Sequence, residues 1–236
     1  LTVALALAFV RLALHDAGLA LGQSLRTKAA RLATRMHRSL QELSPAAALR
    51  ALTVLLLVSL LLRLANAWFY YGFFSGDDVE VHEMTFARLF GLDVALWDLR
   101  SPFFPMTFIF PAQRLALALG FDGTDVLVFV GRAVVAGWSC AGLAIMYVIA
   151  RRLLGSAGAG LLAALLLAVM RLHVRLGSSE LPRPVAATFL LVAFGLLVAG
   201  RRSVLHAGLA GIALGIAAAL RFSEAVLVLP LTLQLL

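Results

Sequence analysis

AAALRALTVLLLVSLLLRLANAWFYYGFFSGDD, residues 46–78, is the stretch on which the reading of the whole chain turns. From 46 to 70 its only charged side chains are Arg50 and Arg63. The run is long enough for a bilayer core, which takes about 20 mostly apolar residues in a helix. It closes on Trp68, Phe69, Tyr70 and Tyr71, the aromatic girdle expected where a membrane helix meets the interface. An acid pair, Asp77-Asp78, follows within a few residues.

The rest of the chain repeats this grammar. Further apolar runs occupy 126–150, 153–170, 184–200 and 203–220. Of the 236 residues, 62% are hydrophobic and 14% charged, against about 25% charged in soluble domains. That balance excludes an ordinary soluble domain and a disordered chain. The single cysteine, Cys140, excludes an internal disulfide and a cysteine-built metal site. The expected fold is all-α, a polytopic transmembrane helical bundle.

The formal net charge is +8, and all basic residues except Lys28 are arginines. They sit mostly at the ends of apolar runs, the pattern that orients helices in a membrane, so the expected partners are membrane lipids and not nucleic acid. Residues 1–25 are apolar but broken by Arg11, His15 and Asp16. Residues 26–43 carry Arg26, Lys28, Arg31, Arg35 and Arg38, with Leu32, Met36 and Leu40 at four-residue spacing. This is the pattern of a basic amphipathic helix on the cytoplasmic surface. Residues 1–45 are thus expected as a unit preceding a transmembrane domain from 46 to 236. The chain starts at Leu1 and stops inside an apolar run, which reads as the N-terminal part of a longer protein.

With the basic helix inside, the aromatic end of 46–70 faces outward, and 72–122 becomes a large first extracytoplasmic loop holding short interfacial helices. Arg151-Arg152 and Arg201-Arg202 then fall on the cytoplasmic side, as the positive-inside rule requires. Gly155, Gly158, Gly160, Gly208, Gly211 and Gly215 read as positions for close helix packing.

The loop collects seven of the twelve acids: Asp77, Asp78, Glu80, Glu83, Asp93, Asp98 and Asp122. In a helix from 77 to 90, Asp77, Glu80 and Glu83 would share a face. Carboxylates so placed repel, which raises one pKa and makes a proton acceptor; the other reading is a solvated acidic loop. Trp97-Asp98-Leu99-Arg100-Ser101-Pro102-Phe103-Phe104-Pro105 reads as a rigid segment packed on the helices, since non-helical backbone at membrane depth needs protein or a cavity beside it. Arg171, His173, Arg175 and Arg183 fall on the outer side, against the charge rule. They suit a lipid phosphate held by bidentate contacts, or else headgroups or Glu180. Arg221, near Glu224 at the end of a span, is a further phosphate candidate. Arg132 and Arg63 are expected to snorkel to an interface, and His206 to sit at one.

The order of aromatic belt, Asp77-Asp78, Glu83, Phe90-Gly91, Trp97-Asp98, Arg100-Ser101 and Pro105 resembles the first luminal loop of the GT-C superfamily. Within it, the likeness is to glycosyltransferase family 22, the membrane mannosyltransferases that build GPI anchors and N-glycan precursors. That family reads Pro-Asp-Glu, a Glu seven residues after the Asp, then Trp-Glu and Arg-Ser before a Pro. Here Gly76 replaces the Pro, Asp78 the Glu, and Asp98 the Glu after Trp97, while Glu83 follows Asp77 by six. Ser178-Ser179-Glu180 and the helix opening at Arg221 also resemble family segments.

The resemblance implies a GT-C-like helical domain and an inverting transfer of a sugar, mannose, on the extracytoplasmic face. The donor would be a polyprenyl- or dolichyl-phosphate sugar, and the acceptor a hydroxyl of a glycan or lipid-linked molecule. The enzyme would be a multi-pass protein of a bacterial inner membrane or an ER-type membrane. Asp77 would be the general base and Asp78 its orienting neighbour. Glu83, Trp97, Arg100, Arg171, Arg175 and Arg221 would bind substrate, with no metal and no cofactor. The competing readings are a polytopic transporter or flippase, whose charges would line a pathway, and an inactive membrane fragment.

Overall fold

The computed structural model describes residues 43–69, 76–92, 102–200, 203–221 and 226. The expectations for residues 1–42, and those for Trp97, Asp98, Arg100, Arg201, Arg202 and Glu224, lie outside them. Among the described residues every regular element is helical. In chain order these are α1 (Pro45–Phe69), α2 (Gly76–Phe90), a π-helical turn (Pro105–Ile109) running into α3 (Phe110–Ala118), and α4 (Thr124–Leu154). There follow α5 (Ala157–Val169), α6 (Arg171–Leu176), α7 (Arg183–Ala199) and α8 (Val204–Leu220).

Local chemistry sets the boundaries. Pro45 opens α1, a position where its missing N–H costs nothing, and Ser44 Oγ accepts from Ala47 N–H at 3.3 Å. In α4, Asp125 lies in the first turn and Arg151-Arg152 in the last, so both ends complement the helix dipole. Gly155 stops it at φ +63°, a left-handed conformation that glycine adopts without steric cost. Ser156 Oγ at once caps α5 by accepting from Ala159 N–H. The π-turn lies between Pro105 and Pro111: Phe110 N–H donates to the Pro105 carbonyl five residues back, just ahead of a proline that has no N–H to offer.

Two helices are long and apolar enough to cross a membrane, α1 with 25 residues and α4 with 31. The helices α5, α7 and α8 are apolar but shorter, at 13, 17 and 17 residues. At 1.5 Å per residue, α5 reaches only about 20 Å. The run expected at 153–170 is helical only from Ala157 to Val169, cut short at its start by Gly155-Ser156, while those expected at 184–200 and 203–220 are helical to within one residue of those bounds. Most of α1 faces outward, with Leu49, Val54, Leu57, Val58, Leu61 and Leu62 all exposed.

α4 is the hub, packed against α1, α3, α5 and α7, while α7 and α8 pair along their length through Ala193, Leu197, Ala210, Ala213 and Leu214. The residues after α1 return to the bundle: Val81 of α2 with Phe104 and Ile109 of the π-turn joins Val135, Val185, Ala186 and Leu220 in one apolar cluster. That cluster closes the end of the bundle where α1 finishes and α4 begins.

The glycines divide. A Cβ on Gly160 would lie 2.7 Å from the Tyr147 carbonyl oxygen, so α5 meets α4 through it. Among the described residues Gly208, Gly211 and Gly215 face nothing within 4 Å, so the close packing expected of them is not seen there. Gly160→Ala should accordingly destabilise the protein in detergent by about 1–3 kcal/mol through overpacking, whereas Gly211→Ala should be neutral or stabilising by about 0.5–1 kcal/mol. Thermal unfolding of the two variants measures the contrast.

Candidate functional site

Between Asp125 and Glu224 the only acidic residue is Glu180, and it is fully buried. A carboxylate in a low-dielectric interior needs a cation and hydrogen-bond donors, or it does not stay there. Both are supplied at one oxygen. Arg132 Nε of α4 donates to Glu180 Oε1 at 2.7 Å, and His82 Nε2 of α2 meets the same oxygen at 2.8 Å. Arg132 Nη1 donates to the Ala67 carbonyl at 3.1 Å, one of the carbonyls that the end of α1 leaves without an intrahelical partner. The other carboxylate oxygen, Glu180 Oε2, is buried with no hydrogen-bond partner among the described residues.

The backbone makes room for this. Gly131, beside Arg132, is buried, and a Cβ there would come within 3.2 Å of Ile109 Cγ2 and 3.6 Å of Glu180 Cγ. The irregular segment before α7 is buried as well, at Ser178, Ser179, Glu180 and Leu181. Its polar groups are met internally: Ser178 Oγ donates to the Val174 carbonyl, and Ser179 Oγ donates to the Leu176 carbonyl and accepts from Leu181 N–H. Irregular backbone is tolerated at such depth only on these terms.

A second polar group lies beneath. Arg63, in α1, is fully buried. Its Nη1 donates to the Ser59 carbonyl at 2.9 Å, its Nε to Ser139 Oγ at 3.0 Å, and its Nη2 meets His173 Nδ1 at 2.8 Å. A guanidinium cannot accept, so His173 Nδ1 is the acceptor. Burial, and then the positive charge of Arg63, push the His173 pKa down to about 4. Among the described residues Arg63 meets no carboxylate.

The sequence-derived candidates distribute as follows. Asp78 is fully buried on the face of α2 that also carries Val81, His82 and Thr85. Asp77 lies in the first turn of the same helix, its side chain outside the described set. The helix expected over 77–90 is present; Glu83 is exposed on it, and its inward face is the one through Asp78 and His82. Arg171 and Arg175 are exposed on α6. Arg183 and Arg221 are half-buried, each next to residues of the apolar cluster that Val81 joins, so the chain brings both to the end of the bundle that α2 covers. Trp97 and Arg100 lie outside the described residues.

Arg132 and Arg63 do not snorkel. The apolar helices around them leave no path to an interface, and internal acceptors hold them instead. Glu180, expected to pair at most with Arg171, Arg175 or Arg183, takes Arg132 and His82. The readable signal for this trio was a lone acid in a long apolar stretch; no spacing rule points to its partners.

Two outcomes follow. Arg132→Met strands a buried carboxylate and should cost about 3–5 kcal/mol, and adding Glu180→Gln should recover about 1–3 kcal/mol because the pair is coupled; thermal melts in detergent of both variants test this. His173 is depressed below its ordinary 6.5, so between that value and about 4 the unfolded chain takes up a proton that the folded one refuses. Its contribution to stability is complete above 6.5 and is lost as pH falls toward 4. His173→Gln, which keeps an acceptor for Arg63, should show a smaller drop in melting temperature across that window than the parent protein.

Compared with protein-family models, with curated proteins and with solved structures, the chain matches none.

Proposed function

We propose that this chain belongs to a multi-pass membrane glycosyltransferase of the GT-C type, which transfers mannose from a polyprenyl-phosphate donor to an acceptor hydroxyl at the extracytoplasmic face. The observation that carries the reading is the buried Arg132–Glu180–His82 group beneath α2, the helix whose first turn holds Asp77 and whose inward face holds Asp78. An acidic helix anchored by buried charge at the end of an apolar bundle provides a fixed edge on which a reacting group can be oriented. The outward apolar surface of α1 supports a membrane setting, since so large an exposed apolar face is unusual in water.

In this reading Asp77 accepts the proton of the acceptor hydroxyl as its oxygen attacks C1 of the donor sugar. The bond between C1 and the phosphate oxygen breaks with inversion, and its electron pair leaves on the polyprenyl phosphate. That leaving group is already an anion of low basicity, so no strong general acid is required. Asp78, on the adjacent inward position, holds α2 in place and orients the acceptor. Arg175, Arg183 and Arg221 surround this end with positive charge suited to a lipid phosphate. The second reading, a transporter or flippase, draws on Arg63, a cation buried in a membrane-length helix with no carboxylate beside it among the described residues.

The test is Asp77→Asn in the full-length protein, reconstituted with a polyprenyl-phosphate mannose donor. Transfer should fall by about 10²–10⁴-fold, the usual contribution of a general base. Unchanged transfer would remove Asp77 from the chemistry. Parent protein that transfers no sugar from any polyprenyl-phosphate donor would remove the class.

A further inference from the structure

At the opposite end of the bundle from Glu180, a groove of about 430 Å³ runs between α4 and α7 and reaches the first turn of α8. Its walls are hydrocarbon: Ile145, Val148 and Ile149 from α4, and Val192, Leu196 and Val198 from α7. Gly195 lets the two helices close, since a Cβ there would sit 3.1 Å from Ile149 Cγ1. Among the described residues two ionisable side chains line it, Arg152 and His206, both where α4 ends and α8 begins. Neither side chain has a hydrogen bond or ion pair among the described residues, and His206 Nδ1 is a buried nitrogen with no partner. The His206 ring is seated against Gly200, where a Cβ would overlap it. No acid is near in sequence, because Glu180, the one carboxylate between Asp125 and Glu224, is engaged at the other end.

We infer that this groove binds one anionic phospholipid, its acyl chain along the apolar walls and its phosphate between Arg152 and His206. Charge complementarity selects this occupant. Two unpaired cationic or ionisable nitrogen groups at the mouth of an otherwise hydrocarbon trough suit a ligand with an anionic head and an apolar tail. A zwitterionic lipid would add a choline cation where the site already has positive charge, and a soluble phosphate would leave the trough unfilled. Arg151-Arg152 marks this end as cytoplasmic by the charge rule, where anionic lipids attract basic groups. The inference rests on the membrane setting proposed above and not on sugar transfer, so a protein inactive with every sugar donor would leave it standing.

The experiment is native mass spectrometry of the full chain released from detergent, with phosphatidylglycerol or phosphatidylcholine of the same acyl composition added. One retained phosphatidylglycerol per chain is expected, bound about fivefold more tightly than phosphatidylcholine, the effect of about one basic contact near a lipid surface. Arg152→Gln with His206→Gln should abolish the preference. Val148→Trp, a change at an exposed wall position that leaves the bundle interior untouched, should lower retention of both lipids. Equal retention of the two lipids by the parent protein overturns the inference. So does an unchanged phosphatidylglycerol adduct in both variants, which would mean that lipid binds elsewhere and that protein covers the groove. Displacement of the adduct by inorganic phosphate alone would also overturn it, by showing that the acyl chain contributes nothing.

Discussion

A carboxylate and a guanidinium cannot be taken out of water separately; each would cost several kcal/mol, and only close pairing offsets this. The contact of Glu180 with Arg132, reinforced by His82 on the same oxygen, imposes that condition on the end of the bundle where α1 finishes and α4 begins. Glu180 comes from the irregular segment before α7, Arg132 from α4 and His82 from α2, and Arg132 also takes the Ala67 carbonyl of α1. Four parts of the chain distant in sequence are thus tied at one point. Displacing any of them exposes a charge to a hydrocarbon-like interior, so the tie specifies geometry even where its net contribution to stability is small.

The second group works by other means. Among the described residues Arg63 meets no carboxylate, and three neutral acceptors hold it. Gly177 stands so close to Ser139 that a side chain there would collide, which seats α6 against α4 and brings His173 onto Arg63. Together the two groups hold the short α6 and the buried Ser178–Glu180 turn against the long helices. The exposed arginines of α6, Arg171 and Arg175, are therefore presented from a fixed base. Among the described residues the opposite end has no such network: the side chains of Arg152 and His206 meet no hydrogen-bond partner there. The molecule has a rigid, charge-paired end and an end that offers positive charge.

Much of the architecture was legible because helices obey local rules. The apolar run after Pro45, the Asp125 and Arg151-Arg152 ends of α4, and the Gly155-Ser156 break are visible as residue types, and each acts within a few residues of itself. The lengths of α7 and α8 were legible to within a residue, and only the run from 153 starts later than composition suggests, at Ala157. The glycines show the limit: Gly160 and Gly211 look alike in sequence, yet only one meets a neighbouring backbone, a fact about where helices lie. In the acidic segment, helical spacing was anticipated but its orientation was not. Glu83 faces out and Asp78 and His82 face in, because the apolar residue between the inward pair, Val81, is drawn into the cluster with Ile109 and Leu220.

Composition and local pattern therefore determined that this chain is helical, where its apolar helices run and which ends carry its cations, because those properties come from side-chain hydropathy and from backbone groups satisfied within a few residues. Only the tertiary structure decided that Arg132 and Arg63 are interior, that Glu180 is the carboxylate meeting Arg132, and that His82 joins it. Those outcomes depend on which surfaces meet, and a charged side chain in a sequence carries no mark of whether water or another chain segment will solvate it.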